Sequence, residues 1–228
     1  MLIICYKQII RYLNDSTNDI PNNINDRVGM LDSTIRDNID DDYLLICNTN
    51  DYRLNTNEKQ KYTTLLYEAC GNNDLPSVQY LLEHNVNVNA RVHNSMFPLY
   101  IAATHNKDIV ELLIVAKANV NMATQHENCT SLIIAAENGY NDCVNVLLAA
   151  NAYVNHESDN HSALLAATSY GHHSIVSKLL HANANVNQQD NHNKCTALYR
   201  ACFEGYNTCC KLLLEFKADP LICDKCSV

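Results

Sequence analysis

The sequence predicts an all-α solenoid built from stacked helix-turn-helix units. Three observations predict it. A small residue recurs as Ala69, Ala102, Ala135, Ala167 and Ala201, at steps of 33, 33, 32 and 34 residues. Eight or nine residues later stands Val78, Val110, Val144, Val176 or Cys210, followed by Leu81-Leu82, Leu113-Ile114, Leu147-Leu148, Leu179-Leu180 or Leu213-Leu214. A short tag closes each unit: Asn87-Val88-Asn89, Asn119-Val120-Asn121, Tyr153-Val154-Asn155, Asn185-Val186-Asn187 and Asp219-Pro220. A fixed period of this length marks repeated supersecondary units that bury their apolar faces only against one another.

Taken in order, the chain opens with Met1–Leu13, apolar but short and interrupted by Lys7, Gln8 and Arg11. It is too short to span a bilayer and lacks the basic start and cleavage site of a signal peptide. It reads as the second helix of an incomplete repeat, with Ile9, Ile10 and Leu13 on its apolar face. The stretch Asn14–Asp42 holds eight Asp against Arg27 and Arg36, and it is also Asn-rich, which points to a loose segment. Tyr43-Leu44-Leu45-Ile46 with Leu54-Asn55 resembles a degenerate unit. Residues 1–60 are therefore expected to carry one or two eroded repeats that cap the stack.

Five full units follow, at about 61–93, 94–126, 127–159, 160–192 and 193–225. Each reads as helix, turn, helix, finger. In the third, Leu132, Ala135 and Ala136 share one helical face, and Val144, Leu147 and Leu148 repeat that spacing. Gly139, Gly171 and Gly205 stand where the first helix ends and positive φ is useful; Asn73 holds that place in the first unit. The second unit is one residue short around Thr104-His105-Asn106, which predicts a strained or shortened turn and a locally weaker unit. After Pro220 only eight residues remain. Leu212, Leu213 and Leu214 are expected to stay partly uncovered, inviting self-association there or continuation into another repeat or domain.

Thr-Pro-Leu-His-x-Ala opening a unit near 33 residues long is the ankyrin signature. Its counterparts here are Thr64–Ala69, Phe97–Ala102, Thr130–Ala135, Ser162–Ala167 and Thr196–Ala201. The chain resembles an ankyrin-repeat protein over about 160 of its 228 residues. Four units lack the Pro and none has the His, so the family's local Thr–His hydrogen bonding is not expected. The resemblance implies hairpin-like fingers beside the first helices and a concave face that selects a partner. On the helices it places Glu68, Glu137, Asn138, Tyr170, Arg200, Phe203 and Glu204 on or near that face. On the fingers it adds Arg91, His93, Gln125, His126, Glu127, Asp159 and Asp190. It also implies that the Asn closing each tag (Asn89, Asn121, Asn155 and Asn187) is a candidate for asparaginyl hydroxylation, although Asn or Tyr replaces the usual preceding Asp. The alternative is that these side chains bond the turn backbone.

The formal charge of −9 argues against nucleic-acid phosphates as the main ligand and mildly favours partners with basic surfaces. Eleven Cys and ten His raise the question of metal or catalytic chemistry. The repeat register accounts for many of the cysteines: Cys70 and Cys202 replace a small core residue, Cys210 replaces the core Val, and Cys143 and Cys209 directly precede that position. An odd total, adjacent Cys209-Cys210 and no secretory signal favour the cytosol or nucleus over secretion. Cys223-x-x-Cys226 has metal-like spacing but no second pair. His172-His173 follows Gly171 at a turn where a structural role is expected. No phosphate-binding loop, nucleophile elbow or metalloprotease His pair occurs. The sequence thus predicts no catalytic residues, no cofactor and no metal site. The leading function is a non-catalytic scaffold or adaptor that binds a protein, with neither nucleic acid nor membrane as partner. One alternative is the substrate-recognition subunit of a ubiquitin ligase, because Asn193–Cys202 is similar to repeats of ankyrin proteins that carry a SOCS box. Another is a Cys/His metalloprotein or enzyme.

Overall fold

The computed structural model of the chain describes residues 56–222, except 93, 94 and 160. The eroded repeats expected before residue 56, finger residue His93 and Cys223-x-x-Cys226 lie outside the described residues. Among those described there are ten helices and no named strand. The chain divides into two units, one ending at Asn87 and the other starting at Val88.

The described part of the first unit is one helical hairpin, α1 (Thr56–Gly71) and α2 (Leu75–Glu83). The Asp74 carboxylate caps α2 by accepting the Ser77 amide at 3.2 Å, and Pro76 sits in the first turn, where a missing N–H costs nothing. Leu65, Leu66, Ala69, Val78 and Leu81 are buried.

The second unit repeats the hairpin four times. Its helices are α3 (Pro98–Ala102) and α4 (Lys107–Val115), α5 (Ser131–Glu137) and α6 (Asn141–Ala149), α7 (Ala163–Ser169) and α8 (His173–His181), and α9 (Ala197–Phe203) and α10 (Asn207–Glu215). First helices pack on first helices along the series α3, α5, α7, α9; second helices do so along α4, α6, α8, α10. Helices of five to nine residues nucleate poorly alone, so this lateral packing is what holds them. Val110, Val144 and Val176, with Leu113, Leu147 and Leu179, are wholly buried and form the continuous core. The caps repeat as well. The hydroxyls of Thr130, Ser162 and Thr196 accept the amides of Ile133, Leu165 and Tyr199, three residues into each helix.

The turns follow two rules. After α5, α7 and α9 the chain passes through Gly139, Gly171 and Gly205 at φ between +71° and +80°, and the next amide reaches back five residues, as Tyr140 N–H does to the Ala135 carbonyl at 3.0 Å. After the second helices the left-handed place is taken by Asn85, Lys117, Asn151, Asn183 and Lys217, none of them glycine. The short unit departs from the first rule. Its turn is shortened but not strained: none of Thr104, His105 and Asn106 has positive φ. With one residue fewer, Asn106 N–H closes an ordinary turn on the Ala102 carbonyl at 3.1 Å, so no left-handed residue is needed. The Asn106 side chain then accepts the Asp108 amide at 2.7 Å and starts α4.

Fingers connect successive repeats. Three carry an isolated antiparallel bridge: Val92 with Met96, Ala123 with Thr130, and Gln189 with Thr196. At the last described repeat, Leu213 is fully buried and Leu214 is 52% exposed. The expected uncovering therefore falls on Leu214 and in part on Leu212, but not on Leu213.

Candidate functional site

Side chains from three successive repeats converge in the second unit. Glu137 ends α5, Leu165, Ala166 and Ser169 come from α7, Tyr170 follows it, and Arg200 lies in α9. Two fingers close the other side with His161, Asp190, His192 and Asn193. Together they line a groove of about 330 Å³. Glu137 meets the following finger through His161, and Arg200 meets the preceding finger through Asp190.

The groove is polar and mostly internally paired. The Tyr170 hydroxyl donates to Glu137 Oε1 at 3.4 Å, and His161 Nε2 lies 3.6 Å from Glu137 Oε2. The hydrogen bond from His161 holds the Glu137 carboxyl below its ordinary range, against the upward push of burial. Asp190 is buried; its Oδ1 accepts the Asn193 amide at 2.6 Å and its Oδ2 lies 3.5 Å from Arg200 Nη2. Arg200 Nε is buried without a hydrogen-bond partner, whereas His161 Nε2 is engaged by Glu137. One buried polar atom without a partner thus belongs to a residue that lines the groove.

Four residues named from sequence meet here: Glu137, Tyr170, Asp190 and Arg200. Asp190 was expected to present itself on a finger; it lies beneath the surface and braces Arg200 instead. Phe203 stands beyond the groove, 71% exposed, its ring stacked 6.2 Å from Tyr199. Asn138, Glu204, His126, Glu127 and Asp159 are exposed, and the Asp159 amide bonds the Glu127 carbonyl of the preceding finger at 3.0 Å. Arg91 is committed to structure: its Nη1 donates to the carbonyls of Ser95 at 2.9 Å and Ala123 at 2.8 Å, which ties two fingers together. Gln125 accepts the Ser95 hydroxyl in the same junction. Glu68 lies half-buried in the first unit. Sequence reasoning missed His161, Ser169, His192 and Asn193. His161 carried a signal, since it directly precedes the Ser162 cap, a place held in the neighbouring fingers by buried Cys129 and Cys195. A polar ring at an inward-facing register marks a lined cleft.

The tag asparagines form a ladder. Oδ1 of Asn89, Asn121, Asn155 and Asn187 accepts the backbone amide of Asn119, Tyr153, Asn185 and Asp219 respectively, at 2.7–2.8 Å. Each Asn thus bonds backbone, as the structural alternative proposed, but in the following repeat's tag rather than its own.

The cysteines divide by position. Cys70, Cys129, Cys143, Cys195 and Cys209 are buried, whereas Cys202 is exposed and Cys210 half-buried. Burial pushes the Cys129 thiol up to about 12 and Cys143 to about 11. Among the described residues no group of His, Cys, Asp and Glu is arranged to hold a metal ion. Among them, too, no helix is long and apolar enough to cross a membrane.

The repeat register, the helix pairs and the fingers agree with a family model for ankyrin repeats, which matches in three overlapping copies at residues 41–126, 66–158 and 132–224. This chain belongs to the ankyrin-repeat family. No curated protein matches the sequence. Ankyrin repeats are protein-interaction modules and in general non-catalytic. The walls of the groove come from separate repeats, so its side chains can differ from repeat to repeat without disturbing the core.

Proposed function

We propose that this ankyrin-repeat chain is a non-catalytic adaptor that holds a protein partner on the face made by its first helices and fingers, in the cytosol or nucleus. The groove of Glu137, Tyr170 and Arg200 carries this reading. It places one aromatic ring, one guanidinium and one carboxylate from three repeats around a cleft, with Arg200 Nε left without a hydrogen-bond partner. Aromatic and arginine side chains dominate interface energetics. The exposed Phe203 extends the same face, and the exposed acids Glu127, Asp159 and Glu204 suit a partner with basic surface.

The test begins with proximity labelling in the native cell, followed by binding with purified components. A Tyr170/Arg200/Phe203 triple-alanine variant that folds like the wild type is expected to lose the direct partner. Equal binding by both proteins places the interface elsewhere. Asn89, Asn121, Asn155 and Asn187 remain proposed hydroxylation sites; intact mass after co-expression with an asparaginyl hydroxylase, showing no added oxygen, removes them.

A further inference from the structure

Cys202 and Cys210 stand out when compared with their counterparts in the other four repeats. The first position is held there by Cys70, Ala103, Ala136 and Thr168, and the second by Val78, Val110, Val144 and Val176; all eight are wholly buried. Only in α9 and α10 are both positions cysteine. Only there are they uncovered, Cys202 being exposed and Cys210 half-buried. Their sulfurs are 3.4 Å apart, bridging the end of α9 and the first turn of α10. A disulfide needs about 2.05 Å, so modest side-chain rotation closes the gap. Neighbouring Cys209 is buried.

We propose that Cys202 and Cys210 form a redox-modifiable dithiol, oxidised by a peroxide to an intrarepeat disulfide that staples α9 to α10. The exposed Cys202 sulfur attacks the peroxide oxygen, the O–O bond breaks, and one water leaves as the sulfenic acid forms. The Cys210 sulfur then attacks the Cys202 sulfur. The S–S bond forms, the S–O bond breaks, and hydroxide departs with the Cys210 proton as a second water. The two thiols lose two electrons and two protons, and the peroxide is reduced to two waters. Burial, with Cys202 alongside, pushes the Cys210 thiol up to about 11, which keeps it protonated and assigns the first step to Cys202. The staple spans the turn at Gly205, in a repeat whose short helices depend on neighbours for support.

The test uses the full chain, reduced, exposed to stoichiometric hydrogen peroxide, alkylated, and cut with trypsin and a glutamate-specific protease. Cleavage after Arg200, Glu204 and Lys211 separates Cys202 from Cys209 and Cys210. The expected product is Ala201–Glu204 joined to Gly205–Lys211 by one bond that dithiothreitol reverses. The link persists in Cys209→Ser and vanishes in Cys210→Val, a variant that restores the residue of the other repeats and is checked for unchanged circular dichroism. Wild-type peptides that stay unlinked, Cys202 joined to any other peptide, or a link that survives in Cys210→Val would overturn the proposal.

Discussion

The imidazole of His172 lies against the α-carbon of Gly139 in the preceding repeat. A β-carbon built on Gly139 would stand 2.7 Å from His172 Cε1, while Nε2 donates to the Glu137 carbonyl at 3.0 Å. The Tyr206 ring covers Gly171 in the same way, with a closest approach of 2.9 Å. These glycines serve both the left-handed turn and the contact between repeats. Gly205 has φ of +76° but nothing within 4 Å of its hypothetical β-carbon.

Gly139→Ala is therefore expected to cost more than Gly205→Ala. The second carries only the left-handed penalty of about 1–2 kcal/mol. The first adds an overpacking cost, for roughly 2–4 kcal/mol together. Urea denaturation of the two variants decides this, and equal losses would count against a packing role for His172.

The asparagine ladder predicts a distinction between two changes at one site. Asn155 accepts the Asn185 amide through Oδ1 and donates through Nδ2 to the Asn183 carbonyl at 3.1 Å. Asn155→Ala removes both bonds and is expected to destabilise by about 1 kcal/mol, at the low end because the site is exposed. Asn155→Asp keeps the acceptor and should lose less. Thermal melts of the pair test the order.

Core and end-face leucines should differ sharply. Leu147→Ala opens a cavity at a wholly buried position and is expected to cost roughly 2–5 kcal/mol. Leu214→Ala, at a half-exposed position, should stay within about 0.5 kcal/mol. Comparable denaturant midpoints for the two variants would contradict the assignment of the core to the leading Leu of each pair.

Glu137 sets an acid dependence. Its folded pKa is lowered, so the unfolded chain binds the proton more readily, and stability from this group is present above the unfolded value. It is lost as pH falls through the folded value, below the ordinary 4.5. Wild-type protein should therefore lose more stability than Glu137→Gln between about pH 6 and about pH 3. Parallel pH profiles from urea titrations would show that the His161 and Tyr170 contacts do not favour the charged carboxyl.

The helix pairs were legible because a buried stripe repeats every turn and the whole pattern repeats every unit. Val144, Leu147 and Ala135 announce their burial by type and spacing alone. Gly139 and Gly171 were legible as turn residues, but not as seats for the rings of His172 and Tyr206. Lys117 and Lys217 gave no sign of their left-handed backbone, since long polar side chains fit almost any exposed position. In the groove, Tyr170 and Arg200 were placed by the resemblance to ankyrin repeats, while His192 and Asn193 were missed because finger residues follow no period that tells inward from outward.

Local sequence alone determined the repeating helical hairpins, the hydroxyl caps and the line of buried Val and Leu, because each follows from residues within one turn or one unit. The tertiary structure decided which polar groups meet. Arg91 ties two fingers together, Asp190 braces Arg200, and every tag Asn reaches the next repeat, across separations of up to 32 residues. Such pairings depend on the exact offset between stacked units, a quantity set by the packing of many side chains at once.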